Sequence, residues 1–336
     1  MKNYFLFLGA CITLVSCSTP EAITARMLGS SLQAPVFENC RAVSEEEIEF
    51  VFSQPVTVRS LDFYPDMRIL SVENGSRVRV TVDSGVPPGT IITADLLAED
   101  ENKNTINVIV SLRSRNNRMP DLVINEICTE YSNTPAGKKS EFIELKMMTG
   151  GNLGAMRLVI RGNTNAASQT IYEFAPVEVK KGDYVVLHLR TYDPQSRDEL
   201  GVNLDESKGM NSSPVSRDFW IAGTDKLLHK TSFIYLMDQD DNVINAVIIS
   251  EKQDAWWTKE YFAHAANFLF AKNAWRSAGG GVYSPSDAVI SALTTNTRTI
   301  CRDEITANTN SASDWYITAS SSATPGGLNN PKRFAP

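Results

Sequence analysis

The sequence predicts a mainly β protein made of two β-sandwich domains, the second of which carries a helical insertion. Short runs in which apolar and polar residues alternate recur along the chain, separated by turn residues. A polar, proline-containing break at 116–120 divides these runs into two groups. In the second group, residues 251–285 interrupt the strand pattern and contain apolar side chains near helical spacing.

The first sixteen residues have the pattern of a secretory signal. Lys2 is their only charged residue, and residues 4–15 are almost wholly apolar. This run is too short to cross a bilayer as a helix, which takes about 20 apolar residues. We therefore predict a cleaved signal peptide over residues 1–16.

Cys17 directly follows this run, in Leu14-Val15-Ser16-Cys17. The segment resembles the lipobox of bacterial lipoproteins, which implies diacylglycerol on the Cys17 thiol, cleavage after Ser16 and acylation of the new amine. Two or three acyl chains form a stable anchor, because each buried methylene contributes about 0.8 kcal/mol. A competing site at Cys11 leaves an apolar run of only about six residues. An ordinary secretory signal with a chance cysteine is the plainer alternative.

Residues 17–35 are predicted to form a lipidated tether, since they are rich in Ser, Ala and Thr and lack clear periodicity. Residue 18 is Ser, and not the Asp that resembles an inner-membrane retention signal. An outer-membrane or surface location is therefore favoured, with lipid as the membrane contact.

Overall composition is that of a globular protein, with 42% hydrophobic and 21% charged residues. The net charge of −7 argues against a general nucleic-acid binder, which usually has clustered Lys and Arg. Three cysteines remain beyond the tether: Cys40, Cys128 and Cys301. A disulfide between Cys128 and Cys301 and a pair of buried free thiols are both open alternatives.

The first domain is predicted over residues 36–116. Its strand candidates are Glu47–Phe52, which we expect to end at Ser53-Gln54-Pro55, then Arg77–Val82, Thr90–Leu97 and Thr105–Leu112. Together with the Pro87-Pro88-Gly89 corner and the turn at 100–104, these residues resemble bacterial Ig-like domains. The resemblance implies an Ig-like β-sandwich.

The second domain is predicted over residues 120–331. Its motifs are Ile124-Asn125-Glu126, Glu144-Leu145, and Thr324-Pro325-Gly326 followed by Asn329. In this order they resemble the bacterial form of the lamin tail domain, which again implies an Ig-like β-sandwich. Residues 233–249 predict two strands around a turn at Asp238–Asn242.

The insertion at 251–285 is predicted to be helical over 254–275, with a flexible return at Gly279–Gly281. Its aromatic residues are expected to cover the sandwich core, with a recognition surface as the alternative. They are Trp256, Trp257, Tyr261 and Phe262.

Candidate chemical groups are few. Glu126, Glu141 and Glu144 are carboxylates of the kind that glycosidases pair, but the lamin-tail pattern implies hydrogen bonding to loops instead. The histidines, His188, His229 and His264, lack a metal-ligand spacing. Alternating oxygens at Asp238–Asn242 suggest calcium only weakly, since a solvated hairpin turn explains them.

We therefore predict no catalytic, cofactor or metal residues, and Cys17 as the lipid-attachment residue. The expected function is that of an envelope or surface lipoprotein, acting as a non-enzymatic binding or structural module for a protein or glycan partner. The alternative is a hydrolase or a hydrolase-accessory module of the cell envelope.

Overall fold

A computed structural model describes residues 33–83, 85–134, 137–162, 169–277, 283–305 and 308–335. The predicted signal peptide, Cys17, most of the tether and the Gly279–Gly281 return lie outside these residues. Within them the chain is mainly β with one α-helix. It divides into two units, the first made of residues up to Arg41, Glu46–Asp83 and Ile92–Leu112, and the second of the rest. No helix in the described ranges is long and apolar enough to cross a membrane.

The first unit is built on one six-stranded sheet. Its strands are β1 (Phe37–Ala42), β2 (Glu47–Tyr64), β3 (Ile69–Glu73), β4 (Gly75–Val82), β5 (Ile91–Glu99) and β6 (Thr105–Arg113). They are ordered β3-β4-β2-β5-β6, and β1 also pairs with β2. Alternate side chains of β4 and β5 are buried, as their sequence pattern predicts.

Strand β2 does not end at Ser53-Gln54-Pro55, so that prediction is wrong. The strand continues to Tyr64, but its pairing shifts register between Val51 and Val56. Residues before the shift pair with β4, and Thr57–Tyr64 pair with β5. Pro55 lacks a backbone N–H, and it is tolerated here because the shift removes it from both ladders.

The second unit contains two larger sheets and two short ribbons. Its strands are β7 (Leu122–Cys128), β8 (Ser132–Thr134), β9 (Gly137–Lys139), β10 (Phe142–Met147), β11 (Gly151–Asn152), β12 (Arg157–Arg161), β13 (Gln169–Glu173), β14 (Glu178–Val179), β15 (Tyr184–His188), β16 (Arg217–Trp220), β17 (Ser232–Met237), β18 (Val243–Ser250), β19 (Val289–Ile290), β20 (Ile300–Arg302) and β21 (Trp315–Ile317).

One large sheet has the order β16-β15-β10-β7-β20-β21, and the other β13-β12-β17-β18-β19. A single hydrophobic core takes side chains from both, among them Ile124 and Leu187 from the first and Leu158 and Ile248 from the second. The first sheet therefore has an inner, apolar face against this core. Its outer face carries the polar groups discussed below.

The predicted hairpin at residues 233–249 is confirmed. Strands β17 and β18 are antiparallel and joined at Asp238–Asn242. The Asp238 carboxylate accepts hydrogen bonds from the backbone N–H groups of Asp240 and Asn242, at 2.8 and 2.9 Å. This side-chain-to-backbone pattern is the usual reason for Asp at a turn.

The α-helix among the described residues, α1 (Glu260–Ala271), is shorter than the predicted 254–275. Lys259 has an extended backbone and is the N-cap residue of the helix, so Trp256 and Trp257 lie before the helix. The buried helical residues are Ala265, Ala266, Leu269 and Phe270, and they belong to the core shared by the two sheets. Trp257 and Phe262 pack beside the same core.

Replacing Leu269 by Ala is expected to lower the free energy of unfolding by about 2–5 kcal/mol, because its fully buried side chain would leave a cavity in the core. Chemical denaturation of the full chain measures the change. Asn267→Ala is the matched control, since Asn267 is an exposed residue of the same helix and should change stability by about 0.5 kcal/mol or less. Equal effects of the two substitutions would contradict the packing of α1 on the core.

Candidate functional site

Two of the candidate carboxylates, Glu126 on β7 and Glu144 on β10, are cross-strand neighbours on the outer face of the first sheet. The antiparallel register places them opposite each other, next to a local register shift. Both side chains are fully buried. Two neighbouring carboxylates that are shielded from solvent require hydrogen-bond donors, since buried charge without partners is strongly unfavourable.

Thr299 donates to Glu126 and Asn125 donates to Glu144. Further donors come from the C-terminal strap, by which we mean residues Thr324–Asn329. The backbone N–H of Thr324 donates to Glu126 at 3.1 Å, and that of Gly326 donates to Glu144 at 2.6 Å. At the end of the strap, the Asn329 amide donates to the Asn125 side chain at 3.2 Å. The strap therefore lies over the carboxylates and covers them.

Gly326 is needed for this close approach. Its φ of +83° lies in the left-handed region, and a Cβ atom there would come within 2.6 Å of the Ser216 hydroxyl. The Ser213 hydroxyl would be 2.7 Å away. The Thr-Pro-Gly motif thus supplies the one residue type that lets the strap reach Glu144.

Burial raises the pKa of Glu144 well above its ordinary value, and the nearby charge of Glu126 raises it further. Burial also raises the pKa of Glu126, although hydrogen bonds from Thr299 and Thr324 partly offset this. A raised pKa is a property of many acid catalysts. Here the strap covers both carboxylates and donates to each of them.

Glu141, the third candidate carboxylate, is paired separately. Arg190 donates to both of its oxygens, from Nε at 2.5 Å and from Nη2 at 2.7 Å. Both side chains are buried, and the guanidinium lies 3.8 Å from the centroid of the Tyr131 ring. Arg190 also donates to the hydroxyl of Tyr192. This bidentate pair fixes the segment that follows β15.

The three histidines lie apart from one another. His188 is fully buried, and its Nε2 is 2.9 Å from the Asp218 carboxylate. His229 is partly buried, which together with the neighbouring charge of Lys226 lowers its pKa. His264 is exposed on α1 beside Glu260. Among the described residues, no three His, Cys, Asp or Glu side chains converge on a metal-binding position.

His188 supports a cleft that the sequence did not reveal. The cleft has a volume of about 510 Å³, in the range of small-molecule sites. We call it the Trp220 cleft. Its walls include Lys138, Tyr192, Ser196, Lys208, Asn211 and Trp220.

Trp220 is held rigidly in this cleft. Its ring stacks on His188 with a centroid distance of 3.8 Å, and its Nε1 donates to the Ser207 hydroxyl at 2.9 Å. A Cβ atom on residue 209 would lie 2.1 Å from the indole, so Gly209 lets the loop close on it. Trp220 is 9% exposed, and the small part of its ring that reaches the cleft is therefore fixed before any ligand arrives.

The remaining predicted groups serve packing or turns. Trp257 and Phe262 lie against Phe233, with ring centroids 5.3 and 5.8 Å away, whereas Trp256 is 74% exposed. Of the turn carboxylates, Asp240 pairs with an arginine. The aromatic cluster predicted at 256–262 is thus split between the core and the surface.

Cys128 and Cys301, which both lie in the described ranges, are free thiols, so the alternative disulfide between them is absent. Both are buried, and burial raises the pKa of Cys128 to about 12. Cys40 is also free, and burial raises its pKa to about 12. These thiols are poorly suited to nucleophilic chemistry, which needs the thiolate.

Glu144→Gln should weaken the pH dependence of stability. Because the pKa of Glu144 is raised in the folded state, its contribution is fully present below the unfolded pKa of about 4.3. That contribution is lost as pH rises through the folded value. We expect the wild-type melting temperature to exceed that of Glu144→Gln by more at pH 5 than at pH 7.5. The exposed Glu251→Gln is the control and should leave the dependence unchanged. A parallel pH profile for Glu144→Gln and wild type would contradict this role.

Three comparisons relate the chain to known proteins. Residues 120–317 match the model of the TP_1001_2nd family, described as protein second domain. A Treponema pallidum (strain Nichols) protein, described as uncharacterized, is 32% identical over 123 residues, which are 37% of this chain and 30% of that protein. The chain therefore matches under a third of that relative's length. A crystal structure of a DUF4876 family protein from Bacteroides thetaiotaomicron VPI-5482 aligns with a TM-score of 0.32 at 14% identity, over 78% of this chain and 90% of that one. Because the family model spans more than half of the 336 residues, the chain belongs to the TP_1001_2nd family.

Proposed function

We propose that the chain is an exported lipoprotein, anchored to the bacterial envelope through lipid on Cys17, that acts as a non-enzymatic binding module. The charged start, the short apolar run and Leu14-Val15-Ser16-Cys17 support the anchor. Residues 17–35 then serve as the tether, and the outer membrane or cell surface is the favoured location.

Two Ig-like β-sandwiches form the body of the protein in this proposal. In the first unit the two layers would come from one sheet, because β2 pairs with β4 in its first part and with β5 in its second. In the second unit, the core shared by two sheets supports a sandwich. Residues 251–285, which include α1, are its helical insertion. The contacts of Glu126, Glu144 and Asn329 support the lamin-tail resemblance, because its characteristic residues meet in one hydrogen-bonded cluster.

The observation that carries the binding function is the Trp220 cleft. It is open, its aromatic surface is held by buried neighbours, and polar side chains line it. Binding sites typically combine a preformed concave surface with a few polar groups that orient the ligand. A protein or glycan partner fits such a site.

The hydrolase alternative has less support. Its best catalytic pair is Glu126 and Glu144, and both are fully buried beneath the strap. A glycosidase needs space between its carboxylates for the sugar and a water molecule. The covered pair favours a structural role for these residues.

Metabolic labelling with radioactive palmitate tests the anchor. We expect label on the wild-type chain and on Cys11→Ala, and none on Cys17→Ala, because only the Cys17 thiol would receive diacylglycerol. Cys11→Ala is the matched control, since it removes the competing cysteine of the same segment. Fractionation should place wild type and Cys11→Ala in the membrane pellet. Label that persists on Cys17→Ala, or its absence from wild type, would overturn the proposed anchor.

A further inference from the structure

We infer that the Trp220 cleft binds a saccharide that carries a carboxylate, such as a hexuronic acid. This inference rests on the proposed binding function and names the chemical class of the ligand. Three features support it: fixed aromatic rings, an excess of positive charge, and polar side chains suited to hydroxyl groups.

The half-buried ring of Tyr192 suits the C–H face of a sugar, whereas Trp220, which is 9% exposed, contributes only the part of its ring that His188 and Gly209 leave uncovered. Trp220 is fixed by His188 and Ser207, and the Tyr192 hydroxyl accepts a hydrogen bond from Arg190 at 3.2 Å. Because these rings are already ordered, a ligand that packs on them costs little side-chain entropy. A flat, partly apolar molecule is the natural occupant.

The charges in the cleft favour an anion. Lys138 and Lys208 line it together with a single carboxylate, that of Asp193. In the described part of the chain, no carboxylate lies within salt-bridge distance of Lys138. Lys208 pairs with Asp205 at 2.6 Å, but the two side chains are 50% and 62% exposed. An exposed pair of this kind is weak because water screens its charges, so a ligand carboxylate can compete with Asp205 for Lys208.

The polar groups favour hydroxyls over an apolar acid. The Ser196 hydroxyl is buried and lacks a hydrogen-bond partner among the described residues. A buried polar atom of this kind is unfavourable until a partner satisfies it. Asn211, at a left-handed φ of +69°, adds an amide with both donors and an acceptor. Asp193 adds an acceptor for ligand O–H groups.

The experiment is calorimetric titration of the full chain, extracted in a non-ionic detergent, with glucuronate, N-acetylneuraminate, glucose and acetate. We expect glucuronate to bind at least tenfold more tightly than glucose, and acetate to bind more weakly still. Tighter binding of N-acetylneuraminate would also support the inference and identify a nine-carbon acidic sugar as the better fit.

Single replacements of the cleft lysines provide the residue-level test. Lys138→Ala and Lys208→Ala should each weaken glucuronate binding about fivefold or more and leave glucose binding unchanged. Tyr192→Ala should weaken the binding of both glucuronate and glucose. Lys181→Ala is the matched control, because Lys181 is an exposed lysine outside the cleft, and it should have no effect. Melting temperatures identify any variant that fails to fold.

Several results would overturn the inference. Equal affinity for glucose and glucuronate, with no effect of the lysine replacements, would show that the charge is not recognised. If acetate binds as well as glucuronate, the sugar ring is not recognised. Absence of binding for every acidic sugar would reject the ligand class. Palmitate labelling of Cys17 is scored separately, so such a failure is distinguishable from failure of the proposed anchor.

Discussion

The burial of Glu126 and Glu144 side by side is the constraint on which the outer face of the second unit depends. Their desolvation is unfavourable, and their mutual repulsion adds to it, so N–H donors must reach them. The strap supplies those donors, and Gly326 brings it against Ser213 and Ser216. The backbone N–H of Ser213 in turn donates to Asp218, which orients His188 beneath Trp220. The cleft and the carboxylates are thus parts of one contiguous polar layer.

Magnitudes indicate which polar contacts hold this layer. Breaking a buried ion pair by removing one partner costs about 3–5 kcal/mol, whereas an exposed pair contributes about 0–1 kcal/mol. Glu141–Arg190 is of the first kind, and Lys208–Asp205 is of the second. The contact between His188 and Asp218 is a buried hydrogen bond. The buried contacts therefore hold the scaffold of the cleft rigidly, while the exposed ion pair at its rim can be replaced by contacts with a ligand. That combination suits binding, because a ligand can replace rim contacts without disturbing their support.

Alternation of apolar and polar residues predicted β4 and β5, because one face of each is buried. The β17–β18 hairpin was predicted from two apolar runs around a turn, and both of its strands are largely buried on both faces. The continuation of β2 through Pro55 was missed, since its change of partner depends on β4 and β5. Motif order located Glu126, but its partner Thr324 lies 198 positions away along the chain. The Trp220 cleft is assembled from residues around 138, 192, 208 and 220, and no local spacing connects them.

Amide hydrogen exchange of the strap tests the central claim most directly. If Thr324 and Gly326 donate to buried carboxylates, their N–H groups should exchange as slowly as those of β10, with which the strap would open cooperatively. Exchange as fast as that of the exposed loop around Val202 would contradict the account, because the carboxylates would then lack the donors that the strap supplies. The polar layer beneath the cleft would lose that support.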